Sequence, residues 1–241
     1  MRSAEAEDSV VVSMLPDRGE VSLDWHRIEA PERRQRAPGR PGGMPAVIPF
    51  PHPFLHFAEW FEAARTADPQ PEAASLATAD ASGRPANRMV LVRRWSSRGF
   101  EVYTDTGSRK GGDLAANPRA ALCWHWKDLA RQVRAEGVVT RLPDAQVDAY
   151  WDARPRPSRL SAVTSHQSQQ VESHAVLEAR LREVEARHLG REVPRPERWG
   201  GYLLVPLRAE FWQGDESRFH DRLEYARPAL DAPWRTRTLQ P

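Results

Sequence analysis

The sequence predicts a mainly β protein with flanking helices, an α+β chain built on an antiparallel barrel or sandwich. Three observations support this fold class. Short runs rich in β-branched and aromatic residues, separated by Gly and Pro turn signals, fill the middle of the chain; segments with helical periodicity lie mostly outside that region; and strands do not alternate regularly with helices. A doubly wound parallel sheet would require that alternation, so the pattern favours antiparallel pairing.

The N-terminal residues differ in composition from the rest of the chain. They include the stretch APERRQRAPGRPGG, which cannot bury enough apolar surface to offset the entropy cost of ordering it. We therefore expect a disordered tail over residues 1–47 and a single domain over residues 48–241. Two alternatives stay open for the tail: a basic arm that binds a partner, or a start codon at Met44 that would remove most of it.

The first half of the domain should contain one helix and then mostly strands. FLHFAEWFEAARTA, residues 54–67, has apolar residues at helical spacing and predicts an amphipathic helix. ASLATAD and NRMVLVRRW flank the turn ASGRP and predict a hairpin. GFEVYTD predicts a third strand, a short helix follows over residues 108–116, and RAALCWHW and RQVRAEGVVTRL predict two further strands.

Two helices and a C-terminal group of strands should complete the domain. PDAQVDAYWDARP has a Pro and an Asp at its start and ends before Pro155. VESHAVLEARLREVEARHL places Leu177, Leu181 and Val184 on one apolar stripe. GGYLLVPLRAEFWQG, SRFHDRLEY and PWRTRTLQP predict the final strands.

Composition excludes several classes of function. The net charge of +2 is too small to indicate nucleic acid as the main partner. The single cysteine, Cys123, rules out an internal disulfide, and no His, Glu and Cys residues have the spacing of a metal site. No stretch approaches the roughly 20 apolar residues of a membrane span, and no signal peptide opens the chain, so we expect a cytoplasmic protein.

The segment TGSRKGGDL, residues 106–114, places two cations where a helix disfavours them. Ser108 is typical of an N-cap, and the first turn that follows carries unpaired N–H groups and a partial positive charge. Arg109 and Lys110 stand there in place of Asp or Glu. A phosphate bound by Ser108, the N–H groups and both cations would explain the pattern. The alternative is a solvated surface pair that costs roughly a few tenths of a kcal/mol.

The segment RMVLVRR predicts a strand, Met89 to Val92, that is buried on both faces between Arg88 and Arg93. Both arginines need partners if they are buried, because an unpaired buried charge is costly. On a regular strand two residues five apart point to opposite faces, so the two would serve different ligands or subunits unless a bulge re-aims one. Two strand-end arginines that reach water are the alternative.

The segment SRFHDRLEY predicts a strand with Arg218, His220 and Arg222 on one face. Three basic side chains in a row repel one another unless an anion lies in front of them. An exposed face of a terminal strand is the alternative, although Trp212 and Gln213 just upstream favour a binding site.

The chain lacks a Gly-rich dinucleotide turn after a strand, a GxxxxGK[ST] loop and a GxSxG elbow, so its basic and planar groups indicate a phosphorylated, aromatic ligand held mainly by side chains. Taken in order, eight segments between about residue 54 and Pro241 resemble the pyridoxamine/pyridoxine 5′-phosphate oxidase family of FMN-dependent flavoproteins. Several ordered motifs at family-like spacing are far more specific than any one of them. The segments are RMVLVR, VYTDTGSRKGGDLAANPRAAL, RQVRAEG, YWDARPRPS, SHQSQ, PERWGGY, EFWQG and RFHDRLEY.

The resemblance implies a Greek-key split β-barrel that forms a homodimer, with two FMN molecules in clefts at the subunit interface. The nine tryptophans and the apolar strands agree with a dimer, because they exceed what one barrel of this size should bury. On this resemblance Arg88, Arg109 and Lys110 hold the FMN phosphate and Gln132 faces the flavin ring, with part of the contacts from the partner chain. The other implied cofactor residues are Met89, Val90, Tyr103, Thr104, Ser108, Gln167, Ser168, Trp212 and Arg222.

The resemblance also implies a substrate and a reaction. Tyr150, Arg154 and Ser158 would clasp the phosphate of a pyridoxyl compound. Arg218 and His220 match the pair that lies over the substrate ring and positions its C4′ carbon against flavin N5. A hydride would pass from the CH–NH₂ or CH–OH carbon to FMN, giving pyridoxal 5′-phosphate, and O₂ would then be reduced to H₂O₂.

Three departures from the family pattern keep other functions open. Arg93 replaces a lysine that contacts the substrate phosphate, Phe219 replaces a leucine between the catalytic pair, and Val163 lies in a stretch that lacks the usual small residues and Trp. These changes favour, as an alternative, an FMN-dependent oxidase of secondary metabolism that resembles the phenazine-biosynthesis oxidases and acts on a reduced aromatic ring. A non-enzymatic flavin- or haem-binding module is a third possibility, against which the intact Arg218 and His220 argue.

Overall fold

The computed structural model describes residue 47 and residues 49–241, which form nine strands, five α-helices and a 3-10 turn at Lys127–Leu129. The predicted tail over residues 1–47 lies outside the described residues except for Val47. The helices are α1 (Pro53–Ala67), α2 (Arg109–Ala116), α3 (Asp144–Asp152), α4 (Arg156–Thr164) and α5 (His174–Arg187). The strands are β1 (Ala73–Ala79), β2 (Pro85–Leu91), β3 (Arg94–Ser96), β4 (Gly99–Asp105), β5 (Arg119–Trp126), β6 (Arg131–Arg141), β7 (Trp199–Gln213), β8 (Asp221–Ala226) and β9 (Arg235–Thr238).

The nine described strands pair antiparallel in one sheet, in the order β2-β1-β5-β6-β7-β4-β3, with β8 on β7 and β9 on β8. The sheet branches at β7, which has 15 residues. Its first part pairs with β4 and its second part with β8, while β6 runs along its other edge. One long strand therefore joins both halves of the sheet.

The β6–β7 ladder contains a register shift between Glu136 and Gly137. Gly137 is required there, because a Cβ on it would lie 2.1 Å from the carbonyl oxygen of Val205. Such a bulge bends the strand and increases its twist, which helps the sheet to curl. The result confirms the predicted fold class: mostly strands with flanking helices, in a curled antiparallel sheet that forms a half-barrel.

The predicted hairpin between β1 and β2 is confirmed and has a local cause. Gly83 adopts φ +82°, in the left-handed region that glycine enters without steric cost. Asp80 Oδ1 accepts hydrogen bonds from the N–H groups of Ser82 and Arg84, each at 3.0 Å. Turn residues at fixed offsets between two strands therefore determined this element from sequence alone.

The prediction that Met89 to Val92 is buried on both faces is wrong. β2 is the edge strand of the described sheet and ends at Leu91; Met89 is 64% exposed and Leu91 37% exposed. Val92 lies beyond the strand, where it is fully buried and its N–H donates to Glu72 O at 2.9 Å. Apolar content alone could not distinguish a central strand from an edge strand, because an edge strand that forms a binding surface is also rich in apolar residues.

Aromatic side chains of α1 form one core against the sheet. The Phe57 ring lies 4.9 Å from the rings of both Phe100 and Trp124. His56 is buried and stacks on Phe211 at 3.8 Å, and burial lowers the pKa of His56 to about 3. His56 therefore belongs to the packed core as a neutral ring. No helix among the described residues is long and apolar enough to cross a membrane.

A second core lies beneath α3, α4 and α5. Trp151 and Leu160 pack there with Trp199 at the start of β7, and the Trp151 indole donates to Val193 O at 2.9 Å. The helix α4 was not predicted from the sequence. Five of the nine tryptophans are buried within this single chain, while Trp95, Trp212 and Trp234 are only partly buried. The buried ones are Trp60, Trp124, Trp126, Trp151 and Trp199.

Candidate functional site

Three cations from two distant segments of the sequence line one cleft. Arg88 comes from β2, Arg109 and Lys110 open α2, and the loop 165–168 adds residues from a third segment. The cleft has a volume of about 390 Å³. Its lining residues are Ala86, Asn87, Arg88, Met89, Arg109, Lys110, Gln167 and Ser168.

The N-terminus of α2 is built as the sequence predicts. Ser108 Oγ accepts a hydrogen bond from the Gly111 N–H at 3.4 Å and donates to Asp105 O at 2.6 Å. Gly111 allows the turn to close tightly, because a Cβ there would lie 2.1 Å from Thr106 O. This turn brings the positive end of the helix against the end of β4.

Lys110 is the most constrained of the three cations. Its side chain is buried, and Nζ donates to Thr104 Oγ1 at 3.1 Å, Ser108 Oγ at 3.1 Å and Gln167 Oε1 at 2.5 Å. Burial, with a smaller contribution from Arg88, lowers the pKa of Lys110 to about 8, against an opposing effect of Asp105. Lys110 is thus still mostly charged at pH 7, but its charge is destabilised by burial in an environment that lacks enough negative charge.

Arg88 is held in place by groups that the sequence did not reveal. Its Nη1 donates to Leu76 O at 3.1 Å and to Thr78 Oγ1 at 2.7 Å, and its Nη2 lies 3.6 Å from Asp113 Oδ2. The buried Asp113 also accepts from Thr78 Oγ1 at 2.6 Å. Asp113 follows Lys110 by one turn of α2 and offered no sequence signal apart from its place in the motif.

The donors of the cleft fit a phosphate dianion. Arg88, Arg109 and Lys110 converge there, and their mutual repulsion raises the free energy of the cleft until an anion is bound. Guanidinium and ammonium donors at a helix N-terminus are the groups that bind phosphate most strongly. The arrangement gives a physical reason for the two cations in the first turn of α2.

We expect the affinity of the cleft for a flavin phosphate to fall as pH rises through about 8, if such a dianion is its ligand. The pKa of Lys110 is about 8 in the ligand-free protein, and a bound dianion raises it, so above pH 8 binding requires uptake of a proton. Affinity should be nearly constant from about pH 6.5 to 7.5 and fall by up to about tenfold per unit above pH 8. Quenching of flavin fluorescence measures this, and a flat profile to pH 9.5 would contradict it.

A second group of predicted residues surrounds a stack of aromatic rings. Tyr103 on β4 stacks on Tyr150 of α3 at 3.7 Å, and both lie parallel to Trp199 at about 6 Å. The Tyr103 hydroxyl donates to Glu101 Oε2 at 2.6 Å, and burial followed by this carboxylate raises its pKa. Glu101 also accepts from Gln146 of α3 at 2.7 Å, a link that sequence reasoning missed.

Arg154 lies against this stack with unused hydrogen-bonding capacity. Its guanidinium lies 4.8 Å from the Trp199 ring, and Nη2 donates to Ser158 O at 3.1 Å. Among the described atoms, Arg154 Nε is buried and has no hydrogen-bond partner. Burial lowers the pKa of Arg154, and the positive charge of Arg93 lowers it further against the opposing effect of Tyr150. The charges of Arg93 and Tyr150 therefore influence Arg154.

A third group lies where β6, β7 and β8 run side by side. Gln132 pairs with Trp212, and Trp212 pairs with Arg222. Arg222 makes a bidentate ion pair with the buried Glu210, with Nε–Oε1 and Nη2–Oε2 distances of 2.8 Å and 3.1 Å, and its Nη1 donates to Gln240 O at 2.9 Å. Gln132, Trp212 and Arg222 do not line the cation cleft described above.

The prediction that Arg218, His220 and Arg222 share one face of a strand is wrong. β8 begins at Asp221, and the preceding residues form a turn in which Arg218 adopts φ +63°. The Asp215 carboxylate accepts from the Ser217 N–H at 2.8 Å and so fixes the turn. The period-two pattern gave the wrong prediction because the Asp215 side chain hydrogen-bonds the backbone of a turn, and this bond competes with strand pairing.

His220 nevertheless lies beside a predicted cofactor residue. Its ring centroid is 4.7 Å from that of Trp212, and its Nδ1 accepts from the Asp215 N–H at 3.0 Å. A neutral ring with this hydrogen bond carries its proton on Nε2. Among the described residues, no three His, Cys, Asp or Glu side chains are grouped as a metal site would require.

Two protein-family models match the chain. One, described as pyridoxamine 5′-phosphate oxidase, matches residues 61–188; the other, described as pyridoxine 5′-phosphate oxidase C-terminal dimerisation region, matches residues 199–241. Two curated relatives carry the name pyridoxine/pyridoxamine 5′-phosphate oxidase. That of Anaeromyxobacter dehalogenans is 52% identical and covers 79% of this chain and 96% of the relative; that of Burkholderia thailandensis is 48% identical and covers 79% and 90%.

Solved structures give a consistent result for the fold. PhzG from Burkholderia lata 383, in complex with tetrahydrophenazine-1-carboxylic acid, is 32% identical with a TM-score of 0.76, over 80% of this chain and 94% of that one. A pyridoxamine 5′-phosphate oxidase-related, FMN binding protein from Nostoc punctiforme has a TM-score of 0.63 over 78% of this chain and 98% of that one. Its identity of 19% supports similarity of fold alone.

Proposed function

The chain belongs to the pyridoxamine 5′-phosphate oxidase family, and on this premise we propose that it is an FMN-dependent oxidase that converts pyridoxamine or pyridoxine 5′-phosphate to pyridoxal 5′-phosphate. The observation that carries this proposal is the presence of two separate cationic sites. One is the cleft of Arg88, Arg109 and Lys110; the other is Arg154 beside the aromatic stack, where the charge of Arg93 also acts on it. A phosphorylated cofactor and a phosphorylated substrate need two such sites.

The cleft would hold the FMN phosphate. Arg88 and Arg109 would supply guanidinium donors and Lys110 a point charge, with Thr104 and Gln167 behind it. FMN supplies, when bound, a two-electron acceptor that passes its electrons to O₂ and so gives H₂O₂. The further residues proposed to contact FMN are Met89, Val90, Tyr103, Ser108, Gln132, Ser168, Trp212 and Arg222.

The substrate phosphate would lie against the second site. Among the described atoms, Arg154 offers a buried Nε without a partner. Arg154 lies between Tyr150 of α3 and Ser158 of α4, whose carbonyl oxygen accepts from its Nη2. Arg93 is half exposed and pairs with Glu72 at 3.4 Å, so it can turn to a ligand at small cost. These groups would orient the pyridoxyl compound through its phosphate and leave its ring to other residues.

Arg218 and His220 would contact the substrate ring. The turn that carries them is fixed at Asp215, and His220, whose Nδ1 accepts from the Asp215 N–H, can present its Nε2 to a ligand. The pair would thus orient the carbon that loses the hydride and hold a proton at His220 Nε2.

The proposed active unit is a homodimer. Residues 199–241 match a region named for dimerisation, and the edge strand β2 exposes Met89 and Leu91. A second subunit would bring its own Gln132, Trp212 and Arg222 to the cleft, since those of the same chain do not line it. Sedimentation of the flavin-bound protein as a monomer would contradict this.

The alternative is an oxidase that acts on a reduced aromatic ring. PhzG, at 32% identity, was solved with tetrahydrophenazine-1-carboxylic acid, and Arg93 and the exposed Phe219 depart from the pattern of the vitamin B6 enzymes. Val163 is weaker support, because it packs against the core beneath α3–α5 and its carbonyl accepts from Arg198. An Arg93→Lys variant with strongly improved turnover of pyridoxamine 5′-phosphate would favour the alternative.

We expect the FMN-loaded protein to consume O₂ and release stoichiometric H₂O₂ with pyridoxamine 5′-phosphate or pyridoxine 5′-phosphate. An oxygen electrode with a peroxide-coupled assay measures both, and the unphosphorylated amine and alcohol are the controls. They should react at least about 100-fold less efficiently, because they leave Arg154 unpaired. Oxidation of a reduced tricyclic acid, without turnover of either pyridoxyl phosphate, would instead support the alternative.

A further inference from the structure

Arg198, directly before β7, joins the end of β4, the end of α4 and the loop 165–168, and this loop lines the cation cleft. Its Nε donates to Asp105 Oδ2 at 3.0 Å. Its Nη2 donates to the carbonyl oxygens at the C-terminal end of α4: Ala162 at 3.0 Å, Val163 at 2.8 Å and Ser165 at 3.1 Å. A cation at this position satisfies carbonyl groups that the helix leaves unpaired and is attracted by the negative end of the helix dipole.

Asp105, the partner of Arg198, holds both sides of the cleft. It is buried at the end of β4, its Oδ1 accepts from the Gly107 N–H at 2.8 Å, and its Oδ2 accepts from the Gln167 N–H at 3.4 Å. The first bond fixes the turn that leads into α2, and the second fixes the loop 165–168. One carboxylate therefore connects the two segments, and Arg198 compensates its charge.

The loop 165–168 needs this support. Ser168 adopts φ +71°, which a residue other than glycine keeps only where the surroundings hold it. Gln167 Oε1 accepts from both Lys110 Nζ and Thr104 Oγ1. A displacement of the loop would remove a wall of the cleft and an acceptor from Lys110.

We propose that Arg198 is a positioning residue that preforms the cofactor-phosphate cleft by holding Asp105, the end of α4 and the loop 165–168 together. The inference rests on the proposed function, because it assigns the cleft to a phosphorylated cofactor. It extends that function, since α4 also carries Ser158 of the proposed substrate clasp, and Arg198 thus links the two ligand sites through one helix.

Electrostatics gives this role a signature that a purely structural role would lack. The charged groups that face Lys110 are Arg88 from β2, Asp105 from the end of β4 and Arg109 from its own helix, while Asp113 is occupied with Arg88. Loss of Arg198 leaves Asp105 uncompensated, which favours the charged form of Lys110 and shifts the fall of FMN affinity to higher pH. Loss of the Asp105 charge shifts the fall to lower pH.

The test measures FMN affinity from pH 6.5 to 9.5 by fluorescence quenching. We expect Arg198→Met to weaken binding at pH 7 by about tenfold and to move the onset of the fall upward. Arg198→Lys should recover part of the affinity. A lysine keeps the charge beside Asp105, but one ammonium group cannot hydrogen-bond Asp105 and the three carbonyl oxygens at the same time. Asp105→Asn should move the onset downward.

Arg195→Met is the matched control. Arg195 lies three residues earlier, pairs with Asp144 and Asp148 and donates to Trp199 O, without a described contact to the loop 165–168. The Arg195→Met variant should have a lower melting temperature, with FMN affinity and its pH profile unchanged. If Arg198→Met does not fold, the Arg198→Lys and Asp105→Asn variants provide the test.

The inference is overturned if the wild type binds FMN while the variants of Arg198 and Asp105 keep both its affinity and its pH profile. Equal weakening by Arg195→Met and Arg198→Met, with unshifted profiles, would overturn it as well. A wild-type protein that does not bind FMN refutes the proposed function instead.

Discussion

Replacement of Lys110 by methionine will give a folded protein that purifies without yellow colour and binds FMN at least about 100-fold more weakly than the wild type. Lys110 is a buried cation whose pKa is lowered to about 8, so its charge is unfavourable until a phosphate is bound. The Met side chain fills similar space without that charge. Because the folded-state pKa of Lys110 lies below its value in the unfolded chain, the variant should melt no lower than wild-type apoprotein at pH 7.

The sequence supplies a matched control for this experiment. Lys110 and Lys127 are the two lysines of the chain, and Lys127 is exposed in the 3-10 turn. Lys127→Met removes the same charge and should leave FMN affinity unchanged. Fluorescence titration and thermal melting of both variants are the measurements. A Lys110→Met protein that keeps wild-type affinity would remove the cleft from consideration as the phosphate site.

Removal of Arg218 and His220 together will separate FMN binding from catalysis. The double alanine variant should bind FMN within about threefold of the wild type, because Arg218 and His220 are proposed to contact the substrate ring and lie outside the phosphate cleft. Its turnover of pyridoxamine 5′-phosphate should fall by about 10³-fold or more, since the groups that orient the reacting carbon and hold the Nε2 proton are lost. Stopped-flow reduction of bound FMN under anaerobic conditions isolates this step from reoxidation by O₂.

Glu216→Ala is the control within the same turn, because Glu216 is exposed and lies between Asp215 and Arg218 in sequence. It should retain wild-type turnover. If the double variant loses FMN and turnover in parallel, the turn contributes to the cofactor site and the assignment of the pair to substrate is wrong. If wild-type protein binds FMN yet turns over no substrate, a non-enzymatic flavin-binding module becomes the better description.

The central features of the candidate site were visible in the sequence because they conflict with local physics. Arg109 and Lys110 occupy a helix N-terminus that disfavours cations, and that conflict indicated an anion before any contact was known. The residues that support them gave no such signal. Asp113, Asp105 and Arg198 are ordinary charged residues in sequence. Their roles follow from distant partners: Thr78 is 35 positions from Asp113, and Asp105 is 93 positions from Arg198.

The strands also divide into features that the sequence predicted and features that depend on tertiary structure. The hairpin of β1 and β2 followed from a turn whose Gly83 and Asp80 act within five residues. The edge position of β2 did not, since it depends on which strand pairs next to it. The turn before β8 was mistaken for a strand, because alternation of apolar and basic residues is equally compatible with a turn capped by Asp215.

The sequence by itself determined the fold class, the hairpin, the capped helix α2 and, through ordered motifs, the family. Each depends on interactions between residues close along the chain or on patterns that local geometry imposes. Only the tertiary structure decided that Arg88 meets Lys110 in one cleft, that Arg154 lies against the Trp199 ring, and that Gln132 and Trp212 lie elsewhere. The physical reason is that a charged side chain pairs with the groups that strand pairing places beside it. Strand pairing in turn depends on the packing of the whole chain.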